Sequence, residues 1–183
     1  MSVKLEDMSS WASNVVKKLN LEAHPEGGWY RRDWQATELY SQKSKIEADC
    51  ESKNLLSLNA NHSSENCSAS EPRPLASLIY FLLPKGDSSA WHKVDADELW
   101  LWHGPSNLIL ELGGCGEKPC EEEKRTKILL GAGISDSSSI LQTPCGHAIV
   151  PANVWQRTIP GDGDTLVSCV VSPGFTFSGF NLA

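Results

Sequence analysis

Between residues 75 and 172 the chain is cut repeatedly by Gly, Pro, Asn and Asp into short runs of apolar or alternating residues. The first, 75–83, carries Leu78-Ile79-Tyr80-Phe81-Leu82-Leu83 and stops at a Pro84-Lys85-Gly86 turn. Residues 91–103 alternate and read as one or two strands; 107–112, 126–130, 140–143, 148–150, 155–159 and 165–172 follow. Short runs bounded by turn formers are strands, and a series of them at this spacing makes a β-barrel or jelly roll. Other folds drop out. No Gly-x-Gly-x-x-Gly follows a strand and no P-loop is present, which excludes the nucleotide-cofactor folds. Nothing repeats at a solenoid period.

Upstream of the strands, Leu5, Met8, Trp11, Ala12, Val15, Val16 and Leu19 fall at helical spacing along one stripe. They predict a helix over 5–19, within an N-terminal segment 1–22, lying across the outside of a sheet with Trp11 in the core. Ser2 or Ser9 is placed to cap its start and Asn20 its end. Residues 41–72 are rich in Ser, Asn, Lys and Glu and lack periodicity, so they are expected to form a long, mobile polar insertion. At 183 residues the chain has the length of one domain, 1–183, with the barrel core over 73–183.

Charge narrows the partners. A net charge of −7, with no basic patch beyond pairs such as Lys17-Lys18 and Arg31-Arg32, argues against nucleic acid and against anionic membranes. No apolar stretch approaches the ~20 residues of a membrane span, and the first residues show no apolar signal core. A cytoplasmic location is expected, with the six cysteines as reduced thiols. Cys115 and Cys120, the one close pair, sit in a Gly-rich turn that reads as a solvated hairpin tip. A disulfide or metal clip there stays open, although zinc would need two more ligands.

The chemistry concentrates between Gly86 and Gly104, where His92 and Glu98 lie six residues apart among Trp91, Trp100 and Trp102. On one strand an even separation puts both on the same face. A bend near Asp95 to Asp97 would place them on adjacent strands instead, meeting across a ladder. Either arrangement aims both at one cavity. With Glu98 inward, Trp100 and Trp102 are inward too, giving an aromatic-lined pocket suited to a planar or sugar-like ligand. His92 is the candidate general acid or base, and Glu98 the group that orients or protonates it. The competing reading is a satisfied His–Glu pair inside a tight barrel.

Gly86-x5-His92-x-Val94-x3-Glu98, with Gly104 beyond, resembles the first motif of the cupin superfamily, Gly-x5-His-x-His-x3-4-Glu-x6-Gly. Val94 replaces the second His and Gly104 comes one place early. His24-Pro-Glu-Gly-Gly-Trp-Tyr30, Trp91-His92 through Asp97-Glu98-Leu99-Trp100, Val150-Pro151-Ala-Asn153-Val-Trp155-Gln156 and Ser172-Pro173-Gly174-Phe175 are similar, in order, to the cupin family 5 group, domain of unknown function 985. The resemblance implies an all-β fold, a cupin-type jelly-roll β-barrel with an N-terminal α-helix. It also implies a homodimer, and it raises Glu26 as a residue at the pocket edge.

Ordinary cupins hold a divalent metal with two His and a Glu from the first motif and a His from the second. Val94 and Gln156 stand in two of those places, leaving His92, Glu98 and Gln156 as possible ligands. Gln suits oxygen-preferring ions better than zinc or iron. No cofactor is therefore assigned, and a weakly bound divalent metal stays open. Gln156 is otherwise suited to reading a ligand hydroxyl or amide, or to pairing in the core.

Arg73 and Arg157 are candidates to clamp an anionic group, against the commoner fate of surface ion pairing. Tyr80 carries a polar tip that needs a partner and is expected to reach the pocket. Phe175 and Phe177 share a face and are expected to plug the barrel or cover a dimer seam. The function expected is a small-molecule-binding cupin doing acid/base chemistry, isomerase- or epimerase-like, on a polar or sugar-like metabolite. The alternatives are a non-catalytic metabolite-binding or sensing cupin and, with too few imidazoles, a metal-dependent dioxygenase.

Overall fold

The structure is a computed structural model that describes residues 2–40, 72–132 and 144–183. The strand expected at 140–143 and, but for its last residue, the insertion expected over 41–72 lie outside the described residues.

A short 3-10 turn, Leu5–Asp7, precedes one α-helix, α1 (Ser10–Leu19). The helix expected over 5–19 is thus broken at Met8 and Ser9. Ser9 leaves helical geometry so that its hydroxyl accepts the Ala12 N–H at 3.0 Å, a cap that starts the helix at Ser10. Asn20 ends it in the left-handed region at φ 51°. Ala12 and Val16 bury against Leu21 and Leu82, with Trp29, Tyr80 and Leu166 packed around them. The apolar stripe meets the sheet along Ala12, Val15, Val16 and Leu19, which leaves Trp11 at its margin, 39 % exposed and not in the core as expected.

Strands follow in chain order: β1 (Glu22–Ala23), β2 (Trp29–Gln35), β3 (Leu39–Tyr40), β4 (Arg73–Pro74), β5 (Ser77–Leu83), β6 (His92–Val94), β7 (Asp97–Pro105), β8 (Leu108–Leu112), β9 (Thr126–Leu130), β10 (His147–Val150), β11 (Gln156–Ile159), β12 (Thr165–Ser172) and β13 (Phe180–Leu182). One sheet has the order β1-β2-β5-β12-β7-β10 and the other β13-β6-β11-β8-β9, while β3 and β4 form a separate ribbon. Every pair of named strands is antiparallel. This is the jelly-roll arrangement of two sheets closing face to face.

Alternation decides what each strand buries. In β12, Thr165, Val167, Cys169 and Val171 are buried on one face, and in β8 Leu108 and Leu110. The inward residues meet in a core that includes Phe81, Leu83, Trp100, Leu110, Leu130 and Val167. The core is solid towards the Leu83 and Thr165 ends of their strands. Towards Ser77, Val171 and Glu98, which lie at the opposite ends, a cavity opens.

β6 and β7 are neither one strand nor neighbours on a ladder. Asp95 and Ala96 carry the chain from the smaller sheet to the larger one, so His92 and Glu98 enter the cavity from opposite sheets. A second device is the turn at 24–28, where the His24 N–H bonds Gly28 C=O at 3.0 Å and the Gly27 N–H bonds His24 C=O at 3.1 Å. The Ala90 N–H reaches Glu26 C=O at 2.7 Å, which ties this turn to the segment leading into His92.

Gly27 sits at φ +110°, and a Cβ there would stand 2.2 Å from the Ser88 carbonyl oxygen. Gly86, at φ +79°, has nothing within 4 Å of such a Cβ. Gly27→Ala is therefore expected to lose about 2–5 kcal/mol, backbone strain plus a backbone clash. Gly86→Ala should lose only the strain, about 1–2 kcal/mol. Urea midpoints of the two variants measure this, and equal losses would show that the turn is not pressed against Ser88.

Candidate functional site

The cavity between the sheets has a volume of about 260 Å³, just below the roughly 300–1,000 Å³ of sites for drug-sized ligands. Tyr30, Phe81, Trp100, Phe175 and Phe180 give it aromatic walls. His24, Glu26, His92, Glu98 and Cys169 supply the polar groups of its interior.

Glu98 is buried against neighbours on two other strands, β11 and β12. Gln156 Nε2 donates to its Oε2 at 2.5 Å, and Trp100 Nε1 donates to Gln156 Oε1 at 2.9 Å. Cys169, opposite Trp100 on β12, brings its thiol beside the same carboxylate. Burial pushes Glu98 up to about 7, with Gln156 and then Cys169 opposing the rise. A carboxyl poised there changes its proton at neutral pH, as a general base or acid must. The Cys169 thiol is itself pushed well up, by burial and then by the two carboxylates, so it stays a neutral donor.

His92 does not pair with Glu98. Its Nδ1 lies 2.9 Å from the Ala90 carbonyl and 3.2 Å from Glu26 Oε2, while His24 Nδ1 lies 3.6 Å from that same oxygen. These approaches look like ion pairs, but burial decides otherwise. Loss of water pulls His92 and His24 down to about 4 and pushes Glu26 well above its ordinary value, where the Glu98 charge lifts it further. At neutral pH both imidazoles are uncharged, and Glu26 holds its proton well above the ordinary carboxylate range. The Ala90 contact makes Nδ1 of His92 the protonated nitrogen and leaves Nε2 as the acceptor.

Of the residues singled out in the sequence, Glu26, His92, Glu98 and Trp100 line the cavity, and Gln156 lies directly behind Glu98. Phe175 and Phe177 line it too, while the remaining candidate ligand-binding residues lie elsewhere. Tyr80 faces out of the larger sheet and packs under α1, because it alternates with the inward Ile79 and Phe81. Trp102 packs beyond the cavity, its Nε1 donating to Ser106 C=O at 2.8 Å, next to a bulge that shifts the register of β12 against β7. Arg73 is spent on Asp95 at 2.8 Å and Arg157 on Glu111 at 2.6 Å.

His24, Tyr30, Arg32 and Cys169 line the cavity without having been singled out as site residues. Their signal was present in part. His24 stands two residues before Glu26 in the same turn, and Cys169 interrupts an inward Val-x-Cys-x-Val alternation.

The ligand set His92, Glu98 and Gln156 fits a transition metal poorly, since it holds one imidazole donor, Nε2 of His92, whose Nδ1 donates to a carbonyl. The Gln156 amide already accepts from Trp100 and donates to Glu98. Among the described residues no group of three His, Cys, Asp or Glu side chains is arranged to hold an ion, and no described helix is long and apolar enough to cross a membrane.

The chain belongs to the cupin superfamily, because residues 13–183 match the family described as Cupin superfamily (DUF985). A solved protein from Shewanella oneidensis is 29 % identical, with a TM-score of 0.63 over 94 % of this chain and 84 % of its own. A hypothetical protein from Leishmania major is 21 % identical, with a TM-score of 0.67 over 94 % of this chain and 86 % of its own; at that identity the likeness shows the fold alone. A dTDP sugar isomerase from Desulfovibrio desulfuricans stands at 14 % identity and a TM-score of 0.44, over 58 % of this chain and 62 % of its own, too remote to speak of substrate. No curated protein matches.

The four buried groups hold protons in the reverse of their order in water. Unfolded, the imidazoles release theirs near 6.5 and the carboxyls near 4.5; folded, the imidazoles are bare above about 4 and Glu98 keeps its proton to about 7, with Glu26 also raised. Between pH 4.5 and 6.5 the imidazoles release protons on folding and the raised carboxyls take them up, so the two pairs oppose each other in the pH dependence of stability. Glu98→Gln removes one uptake, so its stability relative to wild type should rise with pH across that window by up to about 1.4 kcal/mol per unit. His92→Asn removes one release, so its stability relative to wild type should fall with pH by a similar slope. Urea titrations at several pH values read the slopes, and parallel profiles for the two variants would contradict the assignment.

Proposed function

We propose that this member of the cupin superfamily is an acid/base enzyme, isomerase- or epimerase-like, acting on a small polar or sugar-like metabolite held in the cavity. The observation that carries the reading is Glu98, a buried carboxyl fixed by Gln156 and Cys169 and pushed to about 7 at the cavity wall. A carboxylate that ionises there is a base for a carbon-bound proton beside a carbonyl. Glu26 keeps its proton and is the acid that returns one. His92 stays uncharged, and its Nε2 accepts a hydrogen bond from a substrate hydroxyl. Since His92 and Glu98 come from opposite sheets, a ring bound between them meets polar groups on both faces, the arrangement inversion at carbon requires.

Deuterium wash-in tests the reading. Small polar metabolites incubated with the protein in D₂O should include one that gains deuterium at a single carbon, followed by NMR. The rate should climb through pH about 7 as Glu98 ionises, and Glu98→Gln should slow it about 10²–10⁴-fold while leaving affinity within a few-fold. A ligand that binds tightly yet neither exchanges nor converts would place the chain with binding or sensing cupins instead.

A further inference from the structure

Among the described residues that line the cavity, Arg32 is the one permanent cation. β2 puts it there by alternation: Tyr30 packs into the core and Trp29 against α1, so Arg32 is the next inward position. Directly after it the register of β2 against β5 shifts, which makes Arg32 the last inward residue before the strand leaves the cavity. It is exposed, as is Phe177 at 57 %, and both line the opening. Glu22 shares this rim as an acidic neighbour, lying opposite Tyr30 across the β1–β2 ladder. The hydrogen bond of Arg32 within the described residues goes to an uncharged acceptor, Gln35 Oε1, at 3.3 Å.

Between this rim and Glu98 the walls are Ile79, Val171, Phe175 and Phe180, which offer apolar and aromatic contact. A ligand that fills the space therefore has three unlike parts. We propose that the cavity is selective for small organic anions, with a carboxylate or phosphate ester on Arg32, an apolar or ring-shaped middle, and a hydroxyl or carbonyl end at Glu98 and His92. The inference rests on the cavity being the ligand site described above. A guanidinium presents a planar fork that meets either oxyanion with two hydrogen bonds. In a chain of net charge −7 it is also what makes the entry of an anion favourable.

Matched probes test this without knowledge of the natural substrate: mandelate against mandelamide, shikimate against its methyl ester, and phenyl phosphate against phenol, titrated by calorimetry into wild type, Arg32→Gln and Arg32→Lys. At least one anion should bind wild type about ten- to a hundredfold more tightly than its neutral partner, lose that margin in Arg32→Gln and recover part of it in Arg32→Lys. Whether the carboxylate or the phosphate pair shows the effect identifies the anion. Equal binding of anions and neutral partners, or anion binding unchanged in Arg32→Gln, overturns the anion selectivity and leaves the cavity as a ligand site. Failure of all six probes to bind also overturns it, and the deuterium experiment then stands alone as the test of the enzyme reading.

Discussion

The amide of Gln156 is the tie on which the site depends. It sits on β11 in the smaller sheet, yet both of its ends are engaged by β7 in the larger one, through Trp100 and Glu98. A primary amide donates and accepts at once, so one side chain fixes the indole and the carboxylate relative to each other across the sandwich. Without the donor, Glu98 would face burial with only the Cys169 thiol to offset it. With the donor, the cost of ionising it falls until its proton leaves near 7. An ion at Gln156 would have to compete with both of these bonds for the amide.

Glu26 is set by a different device. It rides on a turn whose glycine meets the Ser88 carbonyl with no room for a side chain, and its own carbonyl is pinned by the Ala90 N–H. Backbone against backbone is the stiffest way to hold a loop, and it brings a carboxyl from the start of the chain beside His92. The two carboxyls then differ in support. Glu98 has fixed donors that oppose its rise; Glu26 has two uncharged imidazoles and the Glu98 charge as neighbours, and is pushed well above its ordinary value. Two like groups with unlike surroundings divide into a base and an acid.

Much of this was legible in the residues. The turn-punctuated runs gave the strands, and the spacing of His92 and Glu98 gave one cavity. What pairwise spacing does not contain is which sheet a strand joins. The Asp95-Ala96 crossing separates His92 from Glu98 and hands it to Glu26, 66 positions earlier in the chain. Tyr80 was misplaced because an apolar run buried on both faces shows no alternation to reveal its inward side. Trp102 faces the core as expected but lies past the cavity, where β7 carries an extra residue, His103, between the partners of Val167 and Leu166. Arg73 and Arg32 look alike in sequence; the nearby Asp95 engages the first, and the inward position on β2 selects the second.

These placements give the cavity a direction. Among the described residues its inner end holds carboxyls and imidazoles but no permanent cation, so an anionic group placed there would meet Glu98 as a like charge in a medium that screens it poorly. Its rim holds a guanidinium, whose charge is partly screened by water but is never lost to titration. A substrate with one charged and one uncharged polar end therefore has one favourable orientation, charged end outward. That orientation brings its carbonyl or hydroxyl end to the groups able to move a proton. In the proposed reaction, orientation and proton transfer follow from one asymmetry: the carboxyls and imidazoles with raised or lowered proton affinity are buried, and the permanent positive charge stays at the water's edge.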